Sequence, residues 1–496
     1  MNDIKYFFIF LSIGVLTSIL FSSGQIENPD THLRLSQTRV FLENGSFKLP
    51  SDVGDVTHGN LAINELGERC MVYNPGQSFV FIPIYIISKI FTDNNVSSYY
   101  YSAFIVSFIN YIINAISAFF IFKIIISLGY EHKKAIIAAF VFCFTSYSFV
   151  FAQSTYEHHF EMLYILVALY FSLANNLKYN YLYAGLTISI GLAFRSTTIL
   201  LAPTILFLLK SNKHRFIFLS AIAPGIIILL FYNYYRFANP LETGYSIAWI
   251  NTHGKDMIFW SLERIPKAIL GLFLSPGKGL LFFSPTVVIA ILYFKRFYLK
   301  NKKFTNSILI FVLGYVLLFS MNFAWGGSIW SFGPRYILPI VPLLYLPLAE
   351  LKINKLFYSI FLVAFVVQVL LISVNYKRAV LEQYELDQGI DEDSYIFSTK
   401  NTPIIIQSKQ LMKVLNKNIQ GILVNYQPNT SWKKETRLGS NQDILHNSIE
   451  KNSINFWWIR IFHWKTQTFY KTLTIIILVL TLFFSYKTYF YVEKDI

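Results

Sequence analysis

The chain has 496 residues, of which 54% are hydrophobic and only 14% are charged. Soluble globular proteins carry about 25% charged residues, so this composition excludes a soluble domain and indicates a polytopic membrane protein. The net charge of +15 would suit nucleic-acid binding, but basic residues of membrane proteins collect in cytoplasmic loops, and we expect no nucleic-acid partner. Two cysteines, Cys70 and Cys143, are too few for a disulfide framework or a cysteine-built metal site.

Apolar stretches predict an all-α fold with about 12 transmembrane helices, since a helix needs about 20 mostly apolar residues to cross a bilayer. The predicted spans are 5–22, 100–127, 134–152, 159–175, 180–194, 196–209, 215–234, 279–294, 305–324, 335–350, 355–375 and 469–487. The stretches 180–194 and 196–209 are short, and a single long helix there would invert everything that follows. As two spans, they place lysines on one side, among them Lys5, Lys133, Lys210, Lys295 and Lys355.

The opposite side has short loops near 153–158 and 325–334 without Lys or Arg. This asymmetry follows the positive-inside rule and places both termini in the cytoplasm of a plasma (inner) membrane protein. A cleaved signal peptide is the alternative for the first stretch, because it has a lysine, an apolar core and small residues after it. Cleavage would leave the orientation of the rest unchanged.

Three segments are then large and external: 23–99, 235–278 and 376–468. The first contains an apolar stretch at 78–91 that is too short to span, so we expect it to lie in the membrane interface. The chain thus divides into a transmembrane module at 1–375 with external loop helices, a small external C-terminal segment of unknown fold at 376–468, and a last helix with a cytoplasmic tail at 469–496.

Ionisable side chains near the predicted outer face are the candidates for function, because charges at membrane depth are costly. Residues from distant parts of the chain meet there: Asp30, Glu157, His158, His159, Glu161, Arg195, Arg236, Glu242, Lys278 and Arg335. Carboxylates, imidazoles and cations together have the composition of an anion-binding site. The competing interpretations are arginines that snorkel to headgroups, Asp30 as a helix N-cap and solvated interfacial histidines. Consecutive residues point to different sides of a helix, so Glu157, His158 and His159 match no zinc motif.

The order of several short motifs resembles the GT-C superfamily of glycosyltransferases, which use polyprenyl-phosphate sugars. The closest likeness is to the dolichyl-phosphate-mannose–protein mannosyltransferases and the lipid A aminoarabinose transferases. The matching segments are "PDTHLRLSQTRVFLENGSFKLP", "VYNPGQSFVFIPIYIISK", "EHHFEMLYILVALY", "GLAFRSTTILLAP", "SPGKGLLFFSP" and "FGPRYILPIVP", and the resemblance covers roughly residues 1–375. One position departs from it, because the second acidic residue of the family's pair is Thr31 here.

The resemblance implies a GT-C-like fold and inverting transfer of a sugar from a polyprenyl-phosphate donor to an acceptor hydroxyl on the outer (periplasmic or luminal) face. Asp30 is then the expected catalytic base. The expected donor-phosphate ligands are Arg195, Arg335, Lys278, Arg34 and Arg39, and the expected substrate contacts are His158, His159, Glu157 and Tyr73. The acceptor is a glycolipid, a polysaccharide or a protein, and membrane lipids are further partners. No cofactor is required and no metal site is predicted, although a divalent metal on the external carboxylates is left open.

Two other functions compete with this one. A polysaccharide polymerase or ligase would also act on lipid-linked sugars at the outer face, but its key residues usually lie in a large late loop. A transporter of lipid-linked sugars would place its charges near the bilayer midplane in repeated, broken helices, and the chain shows no internal repeat. Cys70 lies in the predicted external loop, so an impermeant thiol reagent should reach it unless the side chain is buried.

Overall fold

The computed structural model describes residues 2–493 except 52, 54–58, 93–94, 175–176, 255–257, 328–330, 332, 377–378, 380–391, 420–453 and 464–467. Much of the predicted external segment at 376–468 therefore lies outside the described residues, and its fold stays undecided. The division of the chain into three parts likewise stays a prediction.

Helices form most of the regular structure in these ranges. The α-helices are, in chain order, α1 (Asn2–Phe21), α2 (Pro29–Asn44), α3 (Gly76–Ile90), α4 (Asn95–Ser127), α5 (His132–Thr145), α6 (Tyr147–Ala152), α7 (His158–Leu173), α8 (Asn180–Leu192), α9 (Ala202–Leu208), α10 (Asn212–Phe237), α11 (Tyr245–His253), α12 (Ile265–Leu274), α13 (Leu280–Phe283), α14 (Val287–Lys300), α15 (Lys302–Met321), α16 (Val341–Tyr345), α17 (Lys355–Ile372), α18 (Glu392–Phe397), α19 (Pro403–Ile419), α20 (Trp457–His463) and α21 (Thr468–Glu493). Short 3₁₀-helices cover Ser196–Leu201, Leu262–Arg264, Arg335–Ile340 and Leu346–Glu350.

Six of the described helices are long and apolar enough to cross a membrane, namely α1, α4, α10, α15, α17 and α21. Each coincides with a predicted span. These helices support a multi-pass membrane protein, as the composition predicts. The expected number of about 12 spans is not confirmed, because the other six predicted stretches form helices that are short or interrupted.

The interruptions have local causes in the sequence. The stretch 134–152 divides at Ser146, whose extended backbone ends α5 and whose hydroxyl caps α6 by accepting a hydrogen bond from the Ser148 amide. The stretch 335–350 forms α16 flanked by two 3₁₀-helices, because three residues without an N–H donor break the helical ladder: Pro339, Pro342 and Pro347. The remaining stretches appear as α7, α8, the 3₁₀-helix with α9, and the pair α13 and α14.

The loop at 23–99, predicted to be external, contains a small antiparallel sheet, which corrects the all-α expectation. Its strands are β1 (Lys48–Leu49), β2 (Leu61–Ile63) and β3 (Arg69–Met71), in the order β1–β3–β2. Cys70 on the central strand pairs with Lys48 on one side and Ala62 on the other. Strands this short show almost no alternation of apolar and polar residues, so they could not be predicted from the sequence. The interfacial helix expected at 78–91 is present as α3.

The packing of the helices brings distant segments to one place. Helix α4 packs against α1, α5 and α7, and α8 lies between α7 and α10. Glycines allow the close approach of α8 and α10: a Cβ at Gly225 would lie 2.3 Å from the Ser189 carbonyl oxygen. Such small residues are typical of helix contacts inside membranes. The N-terminal end of α7 meets the 3₁₀-helices that begin at Ser196 and Arg335, and the candidate site lies at this junction.

Candidate functional site

The start of α2 positions Asp30. The Asn28 side chain caps this helix by accepting a hydrogen bond from the Thr31 amide at 2.8 Å, and Pro29 occupies the first helical position. Both are typical helix-start residues. The cap is therefore Asn28 and not Asp30, which removes the capping interpretation of Asp30. Its carboxylate lies in the first turn, where the helix dipole favours negative charge.

Asp30 is partly buried and forms no ion pair with the described residues. Asn60 donates a hydrogen bond to it, with Nδ2 at 3.4 Å from Oδ1. Burial raises the pKa of Asp30 above its ordinary value, while the Arg335 and Arg34 guanidinium groups and the Tyr73 hydroxyl oppose this rise. A carboxylate with a raised pKa and an accessible face has the properties of a general base.

Beside Asp30, alternating acidic and basic side chains form a line that we call the charge ladder: Arg34, Glu157, Arg195 and Glu161. Arg34 lies one turn after Asp30 and donates to Glu157 at 2.8 Å. Arg195 contacts Glu157 at 2.7 Å and Glu161 at 2.8 Å. Arg34, Glu157 and Glu161 are buried, Arg195 is 14% exposed, and the four charges cancel. Burial alone would raise the pKa of Glu157, but Arg34, His158 and Arg195 hold that pKa below its ordinary range.

Neutral groups complete both ends of the charge ladder. The Arg34 guanidinium lies 4.0 Å from the centre of the Tyr73 ring, a cation–π contact. At the other end, Glu161 accepts hydrogen bonds from the hydroxyl groups of Thr197 and Tyr315. Tyr73 thus lies in the cluster, as expected. Its ring packs against the Arg34 guanidinium, whereas the expected role was contact with substrate.

Arg335 has a different environment from Arg34 and Arg195. Its Nη2 donates to the Tyr336 hydroxyl at 2.9 Å, and its guanidinium lies over the rings of Tyr336 at 4.7 Å and Tyr156 at 5.1 Å. Its Nε is buried without an acceptor, and it has no carboxylate partner in the part of the chain that the structure describes. Arg335 is close enough to lower the pKa of Asp30, yet the two charged groups are not paired.

The two histidines separate, as expected for neighbouring helical residues. His158 enters the cluster, with Nε2 at 3.1 Å from Arg195 Nη1 and its ring against Tyr156 and Tyr336. His159 points the other way, where its Nε2 lies 2.9 Å from the Ser148 carbonyl oxygen. The structure therefore brings His158, but not His159, to the ladder.

Two of the expected phosphate ligands lie outside the cluster contacts. Lys278 is fully buried and donates to the carbonyl and the hydroxyl of Ser331. Arg39 acts electrostatically on Tyr85 of α3 and Tyr99 of α4. Their proposed role in binding phosphate gains no support from these positions.

The loop before α7 is held in a strained conformation. Thr155 has φ of 59°, which is costly for a β-branched residue. Its carbonyl oxygen accepts hydrogen bonds from Thr31 Oγ1 at 3.0 Å and Gln77 Nε2 at 2.9 Å, and its hydroxyl lies 3.1 Å from Asn28 Nδ2. These bonds tie α2, α3 and the start of α7 together, so they fix the distance between Asp30 and the ladder. Thr31 is used in this way and offers no second carboxylate.

The described residues contain no group of three His, Cys, Asp or Glu side chains arranged to hold a metal ion. Asp30 is the acidic group of the cluster without an arginine partner, and a lone carboxylate is a poor metal ligand. The arrangement is better suited to proton transfer at Asp30 beside an anion held by Arg335.

Comparisons with known proteins add a limited observation at this point. No protein-family model matches the chain, and the search of curated proteins gives no match. Among solved structures, the crystal structure of ArnT from Cupriavidus metallidurans in the apo state is similar, with a TM-score of 0.45 and 8% identity over 86% of this chain and 80% of that one. A similarity at this level carries no argument about family or function, so the function rests on the site itself.

Sequence reasoning missed several members of the site. Thr197 and Tyr315 extend the ladder at Glu161, while Tyr156 and Tyr336 hold Arg335. Glu161 itself was expected on the outer face, and it shares a helix face with Glu157 because it follows that residue by four positions. The tyrosines carry no such signal, since aromatic residues are common along the whole chain.

Proposed function

We propose that the protein is an integral membrane glycosyltransferase that moves a sugar from a polyprenyl-phosphate donor to an acceptor hydroxyl. The reaction is placed at the outer face of the plasma (inner) membrane. The observation that carries the proposal is the pair of unmatched charges, Asp30 and Arg335, beside a ladder whose other charges cancel. A carboxylate and a guanidinium without an ion-pair partner among the described residues would provide a base and an anion ligand in the same cluster.

The chemistry needs only one base. A glycoside with an alkoxide leaving group requires a second carboxylate as acid, but a phosphodiester leaves as a stable anion and needs no proton. Asp30 would take the proton of the acceptor hydroxyl as its oxygen attacks the anomeric carbon from the face opposite the phosphate, which inverts that centre. General-base assistance of this kind contributes about 10²–10⁴-fold to the rate.

Arg335 would hold the departing phosphate. The guanidinium fork matches two phosphate oxygens, and its Nε still lacks an acceptor. The rings of Tyr156 and Tyr336 fix the plane of the fork before the donor arrives. Stabilising the charge that develops on the leaving group in a water-poor site is often the largest catalytic contribution.

The other expected ligands take secondary parts in this proposal. Arg34 and Arg195 are already neutralised by Glu157 and Glu161, so they would orient the ladder and His158 rather than bind phosphate directly. No cofactor enters the mechanism, and a chelator would show whether a divalent metal contributes. The acceptor is a hydroxyl of a glycolipid, a polysaccharide or a protein.

The test compares polyprenyl-phosphate-linked sugars, extracted from cells and analysed by mass spectrometry, between wild type and Asp30→Asn. We expect one polyprenyl-phosphate monosaccharide to accumulate in the variant. Glu43→Gln, which removes a carboxylate more than three turns along the same helix α2, is the matched control and should leave the pool unchanged. An unchanged pool in Asp30→Asn, with normal membrane insertion, would contradict the proposal and favour a ligase or a transporter.

A further inference from the structure

The C-terminal end of α1 is completed by residues far away in the sequence. Carbonyl groups at the end of a helix lack partners within it. The Trp457 indole donates to the Ile19 carbonyl at 2.6 Å, and the Trp458 indole donates to the Leu20 carbonyl at 2.9 Å. We call residues 454–463, which include α20, the strap. The strap thus supplies caps to the helix that precedes the Asp30 loop.

Asn455 is the centre of the strap's polar contacts. Its Nδ2 donates to Glu27 Oε1 at 2.6 Å and to Gln153 Oε1 at 3.0 Å, and its Oδ1 accepts from Arg460. Arg460 in turn donates to the Ser23 carbonyl at 3.2 Å. Asn455, Gln153 and Arg460 are at least 95% buried, so their hydrogen bonds do not compete with water. Buried polar groups linked in such a network favour a single geometry.

Two routes lead from Asn455 to the first turn of α2. One runs through Glu27, which directly precedes the capping residue Asn28. The other runs through Gln153, which precedes the strained loop that receives hydrogen bonds from Asn28 and Thr31. Both routes end within two residues of Asp30. The fit is close, since a Cβ at Gly24 would lie 2.6 Å from the Trp457 Cβ.

We propose that Asn455 is a positioning residue for the transfer reaction, holding the α1–α2 connection so that Asp30 stays within reach of the acceptor hydroxyl. The inference rests on the proposed role of Asp30 as base. Asn455 does not touch substrate; it acts through Glu27 and Gln153. A base displaced by about 1 Å can lose about 100-fold in rate, so a polar contact at Glu27, three residues before Asp30, is enough to matter.

Asn455→Asp is the informative variant, because it keeps the acceptor for Arg460 and replaces the donor to Glu27 by a second carboxylate. We expect kcat per folded molecule to fall about 10- to 100-fold with little change in KM for the lipid donor. Adding Glu27→Gln restores a donor and an acceptor on the Glu27 route with their positions exchanged, while the donor to Gln153 stays lost, so it should recover part of kcat. Gln368→Ala removes a buried amide that donates to the Phe283 carbonyl at 2.9 Å and serves as the control for stability alone.

Hydrogen exchange of residues 22–34 measures the position of the loop without any reaction. Faster exchange at the Thr31 amide in Asn455→Asp, partly reversed in the double variant, is the expected result. Unchanged exchange, or unchanged kcat per folded molecule, would overturn the inference. If Asn455→Asp does not fold, Glu27→Ala removes the same contact from the other side and is judged by the same criteria. Failure of the proposed function looks different, because wild-type protein itself would then transfer no sugar.

Discussion

Removing the central carboxylate of the charge ladder should cost far more stability than removing the proposed base. Glu157 is 4% exposed and contacts Arg34 at 2.8 Å and Arg195 at 2.7 Å. In Glu157→Gln, Arg195 retains Glu161, but Arg34, which is 1% exposed, keeps no carboxylate within the described residues. Breaking a buried pair in this way costs about 3–5 kcal/mol. Glutamine can still accept a hydrogen bond, so we expect the lower end, about 3 kcal/mol.

Asp30→Asn provides the contrast. Burial raises the pKa of Asp30, which means that the fold favours the neutral form of this group over the charged one. A neutral asparagine should therefore change the free energy of unfolding by less than about 1 kcal/mol. In the double variant Arg34→Met with Glu157→Gln, the one guanidinium left in the charge ladder is that of Arg195, which keeps Glu161. The decrease in the double variant's free energy of unfolding should be smaller than the sum of the decreases in the two single variants. The difference should be about 0.5–3 kcal/mol, the coupling expected of contacting residues.

The two cysteines make the measurement simple. Cys70 and Cys143 are both buried and free, so a thiol-reactive fluorescent dye reports unfolding of detergent-solubilised protein on heating. Glu157→Gln should melt several degrees below wild type, and Asp30→Asn should melt close to it. If both variants melt with wild type, or if they melt together at a lower temperature, the description of the ladder as an internally neutralised structure is wrong.

Three other outcomes follow from the same contacts. Arg335→Gln should raise KM for the lipid donor about 10- to 100-fold with unchanged stability, because charge-assisted hydrogen bonds to the phosphate are lost. Lower stability with normal donor use would mean that Arg335 only anchors the chain to headgroups. Tyr73→Phe removes a hydroxyl that lowers the pKa of Asp30, so the acidic limb of the kcat/KM profile should move to higher pH, and a shift to lower pH would contradict this. Cys70 is buried and burial raises its pKa to about 11, so impermeant and permeant thiol reagents alike should label it only after unfolding, and labelling of folded protein would show an open loop.

Hydropathy predicts many of the helices, but it does not predict where the apolar stretches are interrupted. The six long helices were predicted as spans, and α3 was predicted as an interfacial helix. The predicted span at 335–350 is interrupted because prolines remove backbone donors, a cause that is visible in the sequence but lost in an averaged window. The sheet at β1–β3 is held by tertiary contacts of strands too short to show alternation.

The candidate site was predictable in membership more than in pairing. Asp30, Glu157, Arg195 and Arg335 were expected on one membrane face, and the structure places them in one cluster. Which arginine meets which carboxylate depends on the angles between α2, α7 and the neighbouring 3₁₀-helices, and no local pattern encodes these angles. For this reason Arg34, Arg195 and Arg335 look equivalent in the sequence, although only Arg335 has no carboxylate partner among the described residues.

The strap also sets an order of events during synthesis. The indole that donates to the Ile19 carbonyl belongs to a residue 438 positions later in the chain. A ribosome that adds ~5–20 residues per second synthesises that residue roughly 20–90 s after Ile19. During that interval the first helix resides in the membrane with an open end, and the segment that carries Asp30 has no anchor on that side. A nascent chain that has not yet reached Trp457 and Trp458 would thus have its first helices in the membrane before the segment that carries Asp30 is anchored on that side.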